Sequence, residues 1–136
     1  MNGTDATSAG FSRRCIAAGS VLMLVGLVLG ALGTHLVAGR VSPQQLGSYQ
    51  TAVLYQLLNS LGLVLVGLLA RSSVVTAWLR WSARLMGLGI VLFSGSIYLA
   101  TAGLPHGVLA VAPAGGLSLM ASWGMLALHA LARGRD

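Results

Sequence analysis

Lysine and glutamate do not occur in this chain, and aspartate appears only at Asp5 and Asp136, close to its two ends. Charged residues make up 7% of the 136 positions, where a soluble domain carries about 25%. Water could not wet the surface of a globule with this composition, so the bilayer is the natural solvent. No carboxylate lies in any apolar stretch. That excludes paired-carboxylate catalysis and most hard-cation sites, and it weighs against proton-coupled cation export through an embedded acid. Neither aspartate is placed to orient a histidine, so no Ser–His–Asp set can be built. The single Cys15 excludes an internal disulfide.

What remains is largely apolar: 56% of the residues are hydrophobic, and mean hydropathy is +0.85. Four uncharged apolar runs cover residues 15–38, 51–70, 85–103 and 114–131. A spanning helix needs about 20 apolar residues, and all four runs qualify. Membrane strands would alternate over segments of about 10 residues, which these runs do not do. The reading is an all-α membrane protein, a single integral domain over 1–136 with four transmembrane helices in an up-down bundle. The run Phe11-Ser-Arg-Arg-Cys15 resembles a twin-arginine signal. The apolar segment after it exceeds the usual core of about 7–15 residues, so it reads as a retained first helix.

Turn and cap chemistry agrees with these limits. Ser42-Pro43-Gln44-Gln45 has the form of a capping box with proline at the first helical position, so the second helix begins near Pro43. Pro105 and Pro113 bracket the third connection, and Pro113 can open the fourth helix. Arg13 and Arg14 precede the first run; Arg71, Arg80 and Arg84 follow the second; Arg133 and Arg135 follow the fourth. With four spans these share one side and Arg40 lies opposite, so the positive-inside rule places both termini in the cytoplasm, or in the matrix of an organelle. Trp78 and Trp81, interleaved with Arg80 and Arg84, read as an interfacial belt or a short surface helix. A pI near 11.2 would suggest nucleic acid in a soluble protein. Here the arginines are too few and too dispersed, and anionic lipid headgroups are the expected counter-charge.

Small and polar residues inside the runs fall into stripes. Gly19, Gly26, Gly30 and Gly33 share a face of the first helix, with Gly26 and Gly30 as a GxxxG pair for close helix packing. Gly87, Ser94, Tyr98 and Thr101 repeat that spacing in the third. In the second, Tyr55, Gln56, Asn59, Ser60, Gly62 and Gly67 occupy one half of the wheel. Val53, Leu54, Leu57, Leu58, Leu61, Val64, Leu65 and Leu68 occupy the other. Asn59 is therefore expected to face protein and to act as a hydrogen-bonding clasp rather than a ligand site. In the fourth, Gly115, Ser118, Ser122, Met125 and His129 share a face, with Trp123 pointing the other way to fill a groove between helices or subunits. His35 and His106 lie toward the outer side. Two histidines without a cysteine or acid make a poor metal or haem set, so no metal and no cofactor are expected.

The segments GALGTHLV (30–37), YQTAVLYQLLNSLGLVLVG (49–67), LFSGSIYLATAGLP (92–105) and PAGGLSLMASWGMLAL (113–128) resemble, in that order, the DUF 423 family. These are small four-helix membrane proteins of unknown function that include bacterial inner-membrane proteins and relatives of mitochondrial transmembrane protein 256. The resemblance carries the family pattern onto Gly30, Gly33 and His35; Tyr55 and Gln56; Phe93, Ser94, Gly95, Ser96 and Tyr98; and Pro113, Gly115, Gly116 and Trp123. It departs at Asn59, where the family usually has histidine, and near Ser122, where it usually has glycine. The resemblance implies a fold and a topology and no established reaction. The candidate packing and polar set is Gly26, Gly30, Gly33, His35, Tyr55, Gln56, Asn59, Ser94, Gly95, Ser96, Tyr98, Gly115, Gly116 and Ser118.

The functional expectation is a multi-pass protein of the inner membrane without enzymatic activity. It would be an accessory or assembly subunit, or a self-associating bundle, with the bilayer, further copies or a membrane complex as partners and no nucleic acid. The rival expectation is a small oligomeric transporter or channel for a neutral or anionic solute, with Asn59, Ser94 and Tyr98 along the path.

Overall fold

The computed structural model describes the backbone of residues 3–133 and the side chains of residues 6–132. The side chains of Asp5 and Arg133, and all of Arg135 and Asp136, lie outside the described residues. Five α-helices make four rods: α1 (Gly3–Leu32), α2 (Pro43–Ser72), α3 (Ala77–Ile90), α4 (Ser96–Thr101) and α5 (Ala112–Arg133). A wide π-helical turn, Gly33–Val37, extends α1, and another, Val91–Gly95, joins α3 to α4 as one rod. Four helical stretches, Ala6–Val37, Pro43–Ser72, Ala77–Thr101 and His106–Ala132, are long and apolar enough to cross a membrane.

Each connection is terminated by identifiable chemistry. Ser42 Oγ accepts from Gln45 N at 3.2 Å while Ser42 N donates to Gln45 Oε1 at 3.0 Å, so the capping box read from the sequence is formed. Thr76 caps α3 by accepting from Leu79 N. The α4 end closes on Gly103, whose φ of +99° only glycine adopts easily. Gly103 N donates to Ala100 O and Leu104 N to Leu99 O, the paired bonds of a Schellman stop.

The helices outrun the apolar stretches. α1 begins at Gly3, so Arg13 and Arg14 ride on the helix rather than precede it. α3 begins at Ala77, so Trp78, Arg80, Trp81 and Arg84 occupy the first turns of the third rod and form no separate surface helix. The third connection is itself helical, a 3₁₀ segment over His106–Val111 between the two prolines. The reason is common to all three: hydropathy reports where lipid ends, whereas a helix continues into the headgroups as long as its residues favour it. A 30-residue helix such as α2 is about 45 Å long, against a hydrocarbon core of about 30 Å.

Packing divides the bundle into two hairpins, α1 on α2 and α3 on α5, joined through α2 and α3. α2 is the most buried of the four spans. A core of Cys15, Leu63, Val66, Ala70, Leu79, Ala83 and Met86, with Phe11, Leu22, Val75 and Leu126 against it, draws on all four rods. It lies at the end that carries Arg13, Arg14, Arg71, Arg80 and Arg84. The residues of α2 that face lipid include Leu54, Leu58, Leu61, Leu65 and Leu68.

α1 and α2 come closest at two points. A Cβ on Gly19 would meet Ser60 O at 2.7 Å and Val64 N at 2.9 Å, and one on Gly67 would meet Ser12 O and Ile16 N at 3.0 Å. Gly87, by contrast, has open space beside it, and Gly89 is the glycine of α3 against which Leu119 and Gly115 of α5 pack. The π turn explains this. Its extra residue brings Ser94 into line with Met86, both fully buried, and shifts Gly87 off that line. Gly19→Leu is therefore expected to destabilise the protein by about 1–3 kcal/mol. Gly87→Leu should leave stability unchanged. Thermal unfolding of both variants in mild detergent checks this, and equal midpoints would contradict the packing described.

Candidate functional site: a polar seam through the bundle

α2 presents Tyr49, Ala52, Val53, Gln56, Asn59 and Ser60 to the protein interior on helical spacing. The polar members of this face form a seam, with Tyr49, Gln56 and Asn59 bonded across helices and Ser60 bonded within α2. Gln56, 2% exposed, is its centre. Its Nε2 donates to Leu22 O of α1 at 2.8 Å, and its Oε1 accepts from Tyr98 OH of α4 at 2.8 Å. One amide thus holds three rods. Ser60 Oγ, also buried, donates to Gln56 O at 2.6 Å.

Above Gln56, Tyr49 OH donates to Leu29 O at 2.6 Å, and its ring lies 5.3 Å from that of Tyr98 at a 60° tilt. Ser94 Oγ donates to Ala52 O at 2.7 Å, a second tie between the third rod and α2. Below, Asn59 Oδ1 accepts from Trp123 Nε1 of α5 at 2.9 Å, while Asn59 Nδ2 donates to Tyr55 O of its own helix. Trp123 also lies over Gly62, where a Cβ would stand 3.0 Å from the indole. Ser118 Oγ donates to Leu85 O at 2.8 Å and Ser12 Oγ to Gly67 O at 2.8 Å. Thr76 Oγ1 and His129 Nδ1 are paired at 2.8 Å. The His129 imidazole, paired with Thr76, lies apart from the ties around Gln56, Asn59 and Ser94, which are made by neutral amides, hydroxyls and an indole. Such groups hold geometry; they supply neither a strong base nor a charged electrophile.

The structure gathers some of the sequence-derived set and disperses the rest. Gln56, Asn59, Ser94 and Tyr98 belong to the seam, and Ser118 makes its own tie at the α3–α5 contact. Gly26 and Gly30 lie against the side chains of Gln56, Leu57 and Val53, and Gly33 lies against the Tyr49 ring. Gly115 admits the backbone of Leu92 and Phe93 where the π turn widens the third rod. Ser96 bonds back to Phe93 O of the same turn. Gly95 has open space around it, and Gly116 meets only the Phe93 ring.

Four wheel assignments are corrected. Leu57 and Val64, placed on the lipid half, are half-buried against Gly26 and Gly19 of α1. Tyr55, placed on the protein half, is 41% exposed and packs on Phe93 at 5.1 Å. Val53, placed on the lipid half, is buried under α1. α2 is flanked by helices on both sides, which a two-sided wheel does not represent.

His35 is exposed, and His106 lines a shallow cleft of about 350 Å³ with Gln44, Gln45, Ser48 and Thr101. Among the described residues no three of histidine, cysteine, aspartate and glutamate cluster as metal ligands. The sequence reading missed Tyr49, Ser12 and the Thr76–His129 pair. Tyr49 could have been found, because it lies seven residues before Gln56 on the same stripe. Ser12 and Thr76 lie in the interfacial ends, where no periodicity marked them.

The Asn59–Trp123 contact is expected to contribute about 0.6–1.7 kcal/mol. A double-mutant cycle with Asn59→Leu and Trp123→Phe, read by thermal unfolding in detergent, measures it. Additive losses would show that the two side chains do not interact.

Comparison with known proteins bears on this arrangement. A family described as "Protein of unknown function (DUF423)" matches residues 29–116, which hold the α2 face, the π turn of the third rod and the start of α5. The UPF0382 membrane protein YwdK of Bacillus subtilis is 33% identical over 113 residues, covering 83% of this chain and 92% of that protein. The UPF0382 inner membrane protein YgdD of Escherichia coli K12 is 30% identical over 105 residues, covering 77% of this chain and 79% of that protein. No solved structure matches the chain. With four membrane-spanning helices, the motif order of the resemblance and relatives of this coverage, the chain belongs to the DUF423 family of membrane proteins.

Proposed function

We propose that this integral membrane protein is non-enzymatic, and that it serves as an accessory or assembly subunit or a self-associating bundle of the inner membrane. One observation carries the reading: Gln56, Asn59, Ser94 and Tyr98 are engaged in ties between helices, and the buried Ser60 and Ser96 bond within their own rods. Gln56 is held at both ends of its amide. Ser94 and Asn59, which a solute path would need, are bonded to Ala52 and Trp123. A transport path would require these groups to exchange partners with solute at each passage. The outer faces, including Val21, Leu24, Leu117 and Met120, are exposed and apolar, and they suit lipid or another membrane helix. The name of the E. coli relative, an inner membrane protein, supports the location.

The orientation follows from charge. Arg13, Arg14, Arg71, Arg80 and Arg84 stand at one end of the bundle and Arg40 at the other, so both termini lie in the cytoplasm by the positive-inside rule. A green fluorescent protein fused at the C-terminus is expected to fluoresce, and an alkaline phosphatase fused there to be inactive; the reverse pattern would invert the topology. For the role itself, native mass spectrometry of protein extracted in mild detergent is expected to show a stoichiometric membrane partner or a homo-oligomer. A monomer, together with solute flux in liposomes that Asn59→Ala abolishes without unfolding, would replace this reading with transport.

A further inference from the structure

At the basic end, the first turns of α1 and α3 diverge around a cleft of about 550 Å³ lined by Gly10, Phe11, Arg14, Arg80 and Arg84 among others. Clefts of about 300–1,000 Å³ take small molecules, so this one is larger than an inorganic ion requires. Among the described residues no carboxylate lines it. Two of its three guanidinium groups are steadied by aromatic rings, Arg80 over Phe11 at 6.0 Å and Arg84 over Trp81 at 5.3 Å. Guanidinium groups in such a cluster bind phosphate through paired N–H donors. Gly10 opens the floor: a Cβ there would meet nothing within 4 Å.

The walls continue toward the membrane centre with apolar character. On α1 the face of Gly10 and Arg14 runs on through Ala18, Val21 and Val25, all exposed. On α3 the face of Arg80 and Arg84 runs on through Gly87, beside which space is open, to Val91, 63% exposed. A cluster of cations at headgroup depth, leading into two apolar tracks, has the polarity of one phospholipid molecule. A free phosphate would use the arginines and leave the tracks idle.

From this juxtaposition we infer that the α1–α3 cleft is a binding site for an anionic phospholipid. Arg14, Arg80 and Arg84 hold the headgroup phosphate, and the acyl chains lie along Ala18–Val25 and Gly87–Val91. This goes beyond the proposed role and does not depend on it, since a lipid can be held by a subunit, a homo-oligomer or a transporter alike.

The test is lipid retention. Full-length protein is reconstituted with equal phosphatidylglycerol and phosphatidylcholine, extracted, and weighed by native mass spectrometry. Wild type should keep phosphatidylglycerol selectively. Arg84→Gln and Arg80→Gln should each weaken retention by about fivefold, the scale of one arginine at an anionic surface. Gly10→Leu should abolish selectivity with every charge in place, and the open space at Gly10 leaves the fold intact. Arg71→Gln, at the same end but outside the cleft, should retain the lipid. Equal losses in Arg71→Gln and Arg84→Gln would overturn the site in favour of general surface charge. So would unaltered selectivity in both Gly10→Leu and Arg84→Gln. Displacement of the lipid by millimolar inorganic phosphate, itself retained, would overturn the lipid assignment in favour of a free-anion site.

Discussion

In hydrocarbon there is no water to satisfy a stray donor or acceptor, and each polar side chain carried into the membrane must find its partner within the protein. The structure depends on that constraint most visibly at Gln56. Its amide offers a donor and an acceptor on opposite sides, and α1 and α4 each present the complementary group, Leu22 O and Tyr98 OH. The directions of these bonds set how α1 and α4 are rotated about α2. Close packing then follows: once α1 is rotated to bring Leu22 O to Gln56, its small face at Gly19 meets the α2 backbone. Individually such bonds are worth about 1 kcal/mol or less. Their value lies in selecting one register among many with similar apolar packing.

The third rod shows how this selection shapes backbone. Ser94 reaches Ala52 O, and the Leu92–Phe93 backbone presses on Gly115. A straight α-helix would place Ser94 in line with Gly87; the π turn places it in line with Met86 and the core. The wider turn also leaves Phe93 O as acceptor for Ser96 Oγ. A π turn is locally unfavourable, and here it is held by contacts on two sides. It overlaps the run FSGSIYL (93–99), part of one of the segments that carry the family resemblance.

The bundle is polarised along its length. One end gathers arginines, two tryptophans and the buried apolar core; the other carries the tyrosine pair, the capping box and His106. In the span between, Gln56, Asn59 and Ser94 bond across helices and the outward surface is largely leucine and valine. This division suits a protein whose interior serves cohesion and whose interactions lie at its faces and its basic end. The three arginines of the α1–α3 cleft differ from the other charges in being grouped and continuous with apolar tracks, and Arg80 and Arg84 are braced by aromatic rings.

The chain by itself determined the class of object. Composition required the bilayer, run lengths required four helices, and Ser42-Pro43-Gln44-Gln45 placed the start of α2 because a capping box is local chemistry. The inward face of Asn59 and Gln56 and the outward leucines were legible because helical periodicity is local as well. Helix ends were not, since hydropathy registers solvent and is silent on hydrogen bonds beyond it. Nor was the π turn, which exists because α2 and α5 hold Ser94 and Phe93 from either side. The partner of Asn59, Trp123, lies 64 residues away, and Gln56 joins Tyr98 to a backbone carbonyl, that of Leu22, indistinguishable in sequence from its neighbours. Periodicity fixes which face of a helix is polar; only the packed bundle fixes which groups meet, because meeting depends on the rotation and depth of two helices at once.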